Sequence, residues 1–451
     1  MPQWKKLWIL ALPLLLSGCM MSATAESLYA LPRPPEEYES LSIQLSEILA
    51  GGAEYAPPQT GGNLPPVQRV DLDGDGSKEV LAFFRISSEE RPLKIYIFQA
   101  SGDNYQLRAC IEGSGTSIHS IRYVDMDGDG VQELIVSWSV GADLQALGVY
   151  SLQNMEQPVQ LMTTSYARYE VVDLDGDDHQ ELTVLRSDDA ETGASLADYY
   201  DWEGGGLLQL RSTARLSASV AALQWMQVGT LHSGETAVFV TSRTTGVDET
   251  PRAVTDILVW RQMELENIVL SSDTGVSTQI ARSSNLQPAD VDGDGATEIP
   301  IPVELPAEEG GDPCWKVYWH GFQANGESQI QALTYHNLTD RWYLLIPFQW
   351  DGHFTVRQNN AGSSAHSTTF YSVNGRTTGE ELLTIYTLTG TDRESQAVKG
   401  DRAILRRRTA PDTVYAITYS GAYDSWSYAV DRKILADGFN VITSPWSMGE
   451  T

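Results

Sequence analysis

The chain is 451 residues long and 41% hydrophobic, with 38 glycines, an ordinary globular balance that excludes a disordered or collagen-like protein. Its 30 Lys and Arg stand against 60 Asp and Glu for a net charge of −30, and a surface this acidic repels phosphate backbones, which argues against nucleic-acid binding. The length leaves room for two or three domains or for one large repeat architecture.

At the N-terminus Lys5 and Lys6 precede an apolar run at 7–16. This is about half the length that a membrane-spanning helix needs, and it reads as the core of a signal peptide. The run leads into Leu16, Ser17, Gly18 and Cys19, which resembles the lipobox of bacterial lipoproteins, where cleavage falls before the cysteine and the thiol is lipidated. The resemblance implies a signal peptide over 1–18, a lipid on Cys19, and a mature chain held outside the cytoplasm at the bacterial cell membrane. The alternative is a plain secretory signal cut near Ala23 or Ala25. No later apolar stretch approaches spanning length. Spacing alone does not decide whether the remaining cysteines, Cys110 and Cys314, meet, and two buried thiols are the expectation.

Residues 19–66 are rich in proline (Pro32, Pro34, Pro35, Pro57, Pro58, Pro65, Pro66) and carry two Gly-Gly pairs, a composition suited to a tether. Between these breakers, residues 38–49 have apolar positions at helical spacing and predict one short helix. The folded body is expected from Val67.

From there the chain repeats itself. Four segments align without gaps: VDLDGDGSKEV at 70–80, VDMDGDGVQEL at 124–134, VDLDGDDHQEL at 172–182 and ADVDGDGATEI at 289–299. The first three recur at intervals of about 50 residues and the fourth after about twice that, which predicts a decayed copy between them. Residues 227–240 (QVGTLHSGETAVFV) supply it, with a glycine turn, Glu235 and an apolar run but no aspartates. Each copy continues into a β-rich run (EVLAFF, ELIVSW, ELTVLR, ETAVFV, EIPIPV) and later an aromatic strand (KIYIF, LGVYSL, ADYYDW, DILVW, KVYWH). Several short strands per period are the mark of a β-propeller blade, which cannot bury its faces alone. A mainly β fold with a propeller of about 6–7 blades over 67–365 is therefore expected, in preference to a string of separate modules.

The acidic loops hold carboxylates at positions 1, 3, 5 and 9. Calcium takes six to eight hard oxygen ligands, and alternate acids in a tight glycine turn aim their oxygens at one centre, with the peptide oxygen of position 7 adding another. Without a cation, so many like charges would repel. Magnesium suits the loop less well, because it prefers smaller, more hydrated sites. An EF-hand opens similarly but needs a glutamate at position 12 and flanking helices. Here position 12 is Ala82, Val136, Val184 or Ile301, each in or beside an apolar β-rich run.

These residues resemble the FG-GAP or VCBS-type repeats of integrin alpha-chain propellers and of many bacterial surface proteins, whose calcium loops read DxDxDGxxD/E. The resemblance covers about residues 67–305. It implies up to four structural calcium ions, held by Asp71, Asp73, Asp75, Ser77 (main chain) and Glu79, and by Asp125, Asp127, Asp129, Val131 (main chain) and Glu133. The third and fourth sets would be Asp173, Asp175, Asp177, His179 (main chain) and Glu181, and Asp290, Asp292, Asp294, Ala296 (main chain) and Glu298. The third loop departs from the pattern, with Asp178 where glycine usually supplies the turn, so its site is expected to be weaker. The decayed copy is expected to bind nothing. The whole chain is also similar to repeat-containing lipoproteins of clostridial type.

Residues 341–357 and 381–389 continue the strand rhythm without acidic loops. Beyond about 366, a strand at 414–420 and a helical pattern at 425–439 suggest a C-terminal blade or a small α+β unit over 366–451. No nucleophile elbow, HExxH, phosphate-binding glycine loop or CxxC pair occurs in the sequence, and the seven histidines are scattered. The resulting expectation is a lipid-anchored binding protein, not an enzyme, that presents a propeller surface or channel to a protein or glycan ligand. The alternatives are a polysaccharide lyase or hydrolase on the same scaffold, since carboxylates with aromatics suit sugars, and a purely structural or adhesive envelope protein.

Overall fold

The computed structural model describes residues 39–443, apart from 103, 142–143, 188–194, 204–205, 247, 283–285, 307–312, 361–363, 376 and 410. The signal segment, Cys19 and residues 20–38 of the expected tether lie outside the described residues. No helix among the described residues is long and apolar enough to cross a membrane.

Six antiparallel sheets of four or five strands follow one another along the chain. In the first, strand Val67–Val70 meets Glu79–Arg85, which is followed by Leu93–Ser101 and Asn104–Gly113. The second (Ser117–Val124, Glu133–Ser139, Gln145–Ser151, Val159–Tyr166) and third (Arg168–Val172, Glu181–Ser187, Ser195–Glu203, Leu207–Arg215) repeat this order. The strand after each of the first three acidic loops is buried along almost its whole length. Neighbouring sheets cover both its faces, which is why these strands read as continuous apolar runs instead of alternating ones.

The buried apolar side chains group by pairs of consecutive sheets. Leu81, Ile95 and Ile111 of the first sheet pack with Ile121, Val136 and Trp138 of the second. Ile135 and Val149 pack with Leu182 and Val184 of the third, and Leu185 and Tyr199 with Val238 and Leu258 of the fourth. Phe239 and Ile257 then meet Ile299 and Phe322 of the fifth, and Tyr335, Trp342 and Leu344 meet Phe354, Phe370 and Tyr415 of the sixth. Sheets in chain order, each packed face to face on the next, make this mainly β protein a β-propeller of six blades among the described residues. The aromatic strand carries a bulge at matching places in four blades, at Ile97/Phe98, Val149/Tyr150, Tyr199/Tyr200 and Trp319/His320.

The folded body begins earlier than Val67. Helix Glu39–Ala50 buries Leu41 and bonds to the outer strand of the first sheet, Gln44 Nε2 donating to Tyr105 O at 2.6 Å and Tyr105 N to Ser40 Oγ at 3.0 Å. The Pro/Gly-rich residues after it are strapped over the inner strands, with Ala56 N donating to Phe83 O and Thr60 N to His119 O, both at 2.9 Å. Composition favoured a tether because proline cannot sit in a central strand. At a sheet edge, however, the remaining amides still find acceptors.

Residues from 366 on do not stand apart. Strand Ala365–Asn374 pairs with Phe354–Asn359, so the expected boundary falls inside the sixth sheet. That sheet is decorated by helices Arg393–Ala397 and Gly421–Ser425, while helix Arg432–Asp437 packs beside the strand that follows it. The helical pattern at 425–439 is broken after Ser425 and restarts where Asp431 caps the last helix by accepting from Lys433 N. Strand Phe439–Val441 then returns to the fifth sheet beside Trp342–Leu345. Cys110 and Cys314 are half-buried and no disulfide joins them.

The fit between the first two sheets is tight at Gly113, where an added Cβ would lie 2.5 Å from the Trp138 ring. Gly113→Ala should destabilise the protein by about 1–3 kcal/mol through overpacking, read as a lowered midpoint of thermal unfolding. An unchanged midpoint would show that Trp138 is not held against this backbone.

Candidate functional site: the acidic loops and an inner cavity

Each acidic loop is a closed hairpin. The residue before it pairs with the glutamate at its end: Val70 with Glu79, Val124 with Glu133, Val172 with Glu181, and Ala289 with Glu298. The apolar residue at position 2 (Leu72, Met126, Leu174, Val291) is buried and anchors the turn in the core.

The hydrogen bonding repeats loop by loop. The first aspartate receives backbone amides, as in Gly130 N to Asp125 Oδ2 at 3.0 Å and Gly295 N to Asp290 Oδ2 at 3.0 Å. The third aspartate receives the amide of position 7: Ser77 N to Asp75 Oδ1 at 2.6 Å, Val131 N to Asp129 Oδ1 at 2.7 Å, His179 N to Asp177 Oδ1 at 2.9 Å and Ala296 N to Asp294 Oδ1 at 2.8 Å. In the third loop Asp178 adopts the left-handed conformation, φ 70°. It donates its amide to Asp173 Oδ2 at 3.1 Å as the glycines do in the other loops, so the substitution leaves the turn intact.

The glutamates carry the chemistry. Glu79, Glu133, Glu181 and Glu298 are at most 1% exposed. In each, Oε2 accepts the amide of position 2, at 2.8 to 3.1 Å, while Oε1 is buried with no hydrogen-bond partner. Burial, reinforced by the neighbouring aspartates, pushes Glu133 up to about 7 and Glu181 and Glu298 up to about 8, and raises Glu79 as well. A buried unpartnered carboxylate oxygen beside further carboxylates is costly. This donor set fits a hard divalent cation, to which all of these oxygens could turn.

The loops bring their predicted ligands together unequally. Carboxylate oxygens of Asp71, Asp73 and Glu79 lie within 4.8 Å of one another, as do those of Asp125, Asp127 and Glu133, of Asp173, Asp175, Asp177 and Glu181, and of Asp290, Asp292 and Asp294. Asp75 and Asp129 stand outside these sets, Asp129 receiving Gln153 Nε2 at 2.7 Å, and Glu298 converges with Asp294 and His232 but not with Asp290 and Asp292. Ala82, Val136, Val184 and Ile301 all lie in strands, which excludes an EF-hand. In the decayed copy the hairpin is shorter, closing at Thr230 and Thr236. Glu235 is exposed in its turn and does not take the place of the buried glutamates.

The loops also touch. Gln132 N donates to Leu72 O and Gln180 N to Met126 O, both at 2.7 Å, and Thr297 N donates to Thr230 O at 2.8 Å. Gly74 lies so close to the second loop that a Cβ would meet Gly130 O at 2.6 Å.

A second feature was not visible in the motifs. A cavity of about 500 Å³ opens where the first strands of the second, third and fourth sheets converge, lined by His119, Arg122, Tyr166, Arg168, Tyr169 and Trp225 among others. Tyr166 and Tyr169 meet edge to face with centroids 5.3 Å apart, and the Arg122 guanidinium lies 5.8 Å from the Tyr169 ring. Burial raises Glu170, against the pull of Arg122, and burial, helped by Arg168, lowers His119. The signal in the sequence was the mixture of Arg, Tyr and Glu in inner strands whose counterparts in a core would be apolar.

With this geometry in hand, residues 71–136, from the first acidic loop into the strand after the second, match the family model of the FG-GAP-like repeat. Among curated proteins no sequence matches the chain. Similar solved structures include a protein from Lactobacillus plantarum (11% identity, covering 71% of this chain and 85% of that one, TM-score 0.26). Others are a levansucrase mutant from B. megaterium (11%, 63% and 86%, 0.23) and an α-L-arabinanase from Penicillium chrysogenum complexed with arabinobiose (11%, 81% and 96%, 0.26).

The raised glutamates have a consequence for pH. In the metal-free protein, a carboxyl whose folded pKa exceeds its unfolded value favours the folded state below about pH 4.5, and that contribution is lost as pH rises toward about 8. A cation displaces those protons. Calcium should therefore raise the unfolding midpoint of chelator-treated protein more at about pH 8 than at about pH 5, which differential scanning calorimetry would show. Equal increments at both pH values would rule out the buried glutamates as participants.

Proposed function

We propose that this chain is a lipid-anchored, extracytoplasmic binding protein whose propeller is braced by calcium in the acidic loops and which takes a glycan or protein ligand at the inner cavity. The observation that supports the calcium reading is the fourfold recurrence of a fully buried glutamate with one unpartnered oxygen facing aspartates. The cavity supports the binding reading. Aromatic faces suit sugar rings, and Arg122 and Arg168 suit carboxylate or sulfate groups on them, so acidic glycans head the range of ligands.

Location rests on the lipobox. Cells expressing the full chain and fed radiolabelled palmitate should label it, and Cys19→Ala should abolish the label; equal labelling of both would remove the anchor from this account. For the ligand, an array of neutral and acidic glycans is the direct test. Binding should fall at least about tenfold in Tyr169→Ala, where stacking on the ring is lost, with the unfolding midpoint in calcium used to confirm that the variant is folded. Undiminished binding would move the ligand elsewhere. Release of fragments by the same glycans would favour the enzyme reading. Its best-placed group is His366, whose Nδ1 lies 2.6 Å from buried Asp340 Oδ1 at a cavity of about 200 Å³.

A further inference from the structure

The decayed copy has lost its aspartates, yet its turn is among the most closely fitted parts of the molecule. Leu231 is buried. His232 N donates to Phe322 O at 2.9 Å, and Ser233 Oγ accepts from Ala324 N at 2.9 Å, so the turn is bonded to the fifth sheet on both sides of the histidine. The strand leading into it is equally tight: a Cβ on Gly229 would lie 2.3 Å from Thr297 Oγ1 in the fourth acidic loop. The His232 ring lies over Gly321, where a Cβ would come within 2.7 Å of Nε2. Only a glycine leaves room for the ring there.

This packing directs the imidazole into the neighbouring acidic loop. His232 Nε2 stands 3.6 Å from Asp294 Oδ2 and 3.8 Å from Glu298 Oε1, and the three groups form a converging donor set. Neither ring nitrogen of His232 has a hydrogen-bond partner, and neither does Glu298 Oε1, although Glu298 is fully buried. A plain histidine–carboxylate hydrogen bond would bring the atoms below about 3.2 Å. Donors held about 2.1 Å from one ion in tetrahedral directions stand about 3.4 Å apart, close to the separations found. The other histidine near a loop, His179, is exposed, lies 3.4 Å from Asp177 through Nδ1, and is not part of the converging set of its loop.

We propose that the fourth acidic loop is a mixed nitrogen–oxygen metal site, with His232 Nε2, Asp294 and Glu298 as ligands, which selects a borderline first-row dication of the zinc class over calcium. Imidazole suits zinc and its neighbours, whereas calcium prefers oxygen alone. The first three loops offer oxygen only. The decayed copy has thus exchanged a site of its own for one ligand in the next blade, and the ion would join the fourth and fifth sheets. The inference rests on the reading of the loops as cation sites.

The test uses the mature chain, stripped of metal, dialysed against calcium in large excess over zinc, and analysed for bound metals by mass spectrometry. One zinc per chain is expected in the presence of calcium. His232→Ala should lose it, with zinc affinity falling more than about 100-fold, beyond the effect of a mere supporting residue, while the calcium count stays the same. Asp75→Asn in the first loop should leave zinc unchanged. Cobalt in place of zinc should give a visible absorption band in the wild type, absent in His232→Gln, and this pair decides the matter should His232→Ala fail to fold. Calcium in all four loops with no zinc, or zinc held equally by the His232 variants, would overturn this proposal alone. Loops that bind no cation at all would overturn it together with the calcium reading.

Discussion

Four glutamates enclosed at the starts of blade strands set the terms for much of this molecule. Each carboxylate is taken out of water, each has one oxygen satisfied by a backbone amide, and each leaves its other oxygen buried and unpartnered. Desolvation of a carboxylate costs several kcal/mol unless an opposite charge compensates it, and here the nearest side-chain charges are mostly of the same sign. A bound cation would turn this arrangement from repulsive to cohesive. Burial, reinforced by the neighbouring aspartates, lets the glutamates hold their protons well above the usual carboxylate range.

The same loops couple one blade to the next. An amide of one loop donates to a carbonyl of the loop before it, between the first and second, the second and third, and the decayed copy and the fourth. Loop order is therefore transmitted to inter-sheet order, and a charge imbalance in one turn is felt at its neighbour. The apolar clusters between sheets pack consecutive blades together, but they are non-directional. The loop contacts are directional, because each is a backbone hydrogen bond.

The inner cavity and the acidic loops are built from different parts of the sheets. The loops are turns between strands. The cavity is built from strand residues, Arg122, Tyr169 and Glu170 among them, that a purely structural inner wall would not need. Burial raises Glu170, against the pull of Arg122, and burial, helped by Arg168, lowers His119, a concentration of perturbed groups typical of places that meet ligands.

The four acidic loops, the strands that follow them and the aromatic strands were legible in the linear order of residues, because a hairpin loop and its flanking strands are local and their ligand spacing is set by backbone geometry within nine residues. The start of the folded body was not legible: proline and glycine report what a segment cannot do in a central strand, not whether a sheet edge waits nearby for its amides. The restart of the last helix at Asp431 and the return of strand Phe439–Val441 to the fifth sheet were likewise hidden, since both depend on partners distant in the chain. So was the placement of His232, which read as one scattered histidine in a degenerate repeat. Only the packing of one blade's turn against the next blade's Gly321 aims that ring at Asp294 and Glu298. Local spacing thus determined which residues could gather around a cation, while tertiary packing decided which distant groups join them, because burial and donor convergence are properties of neighbours in space.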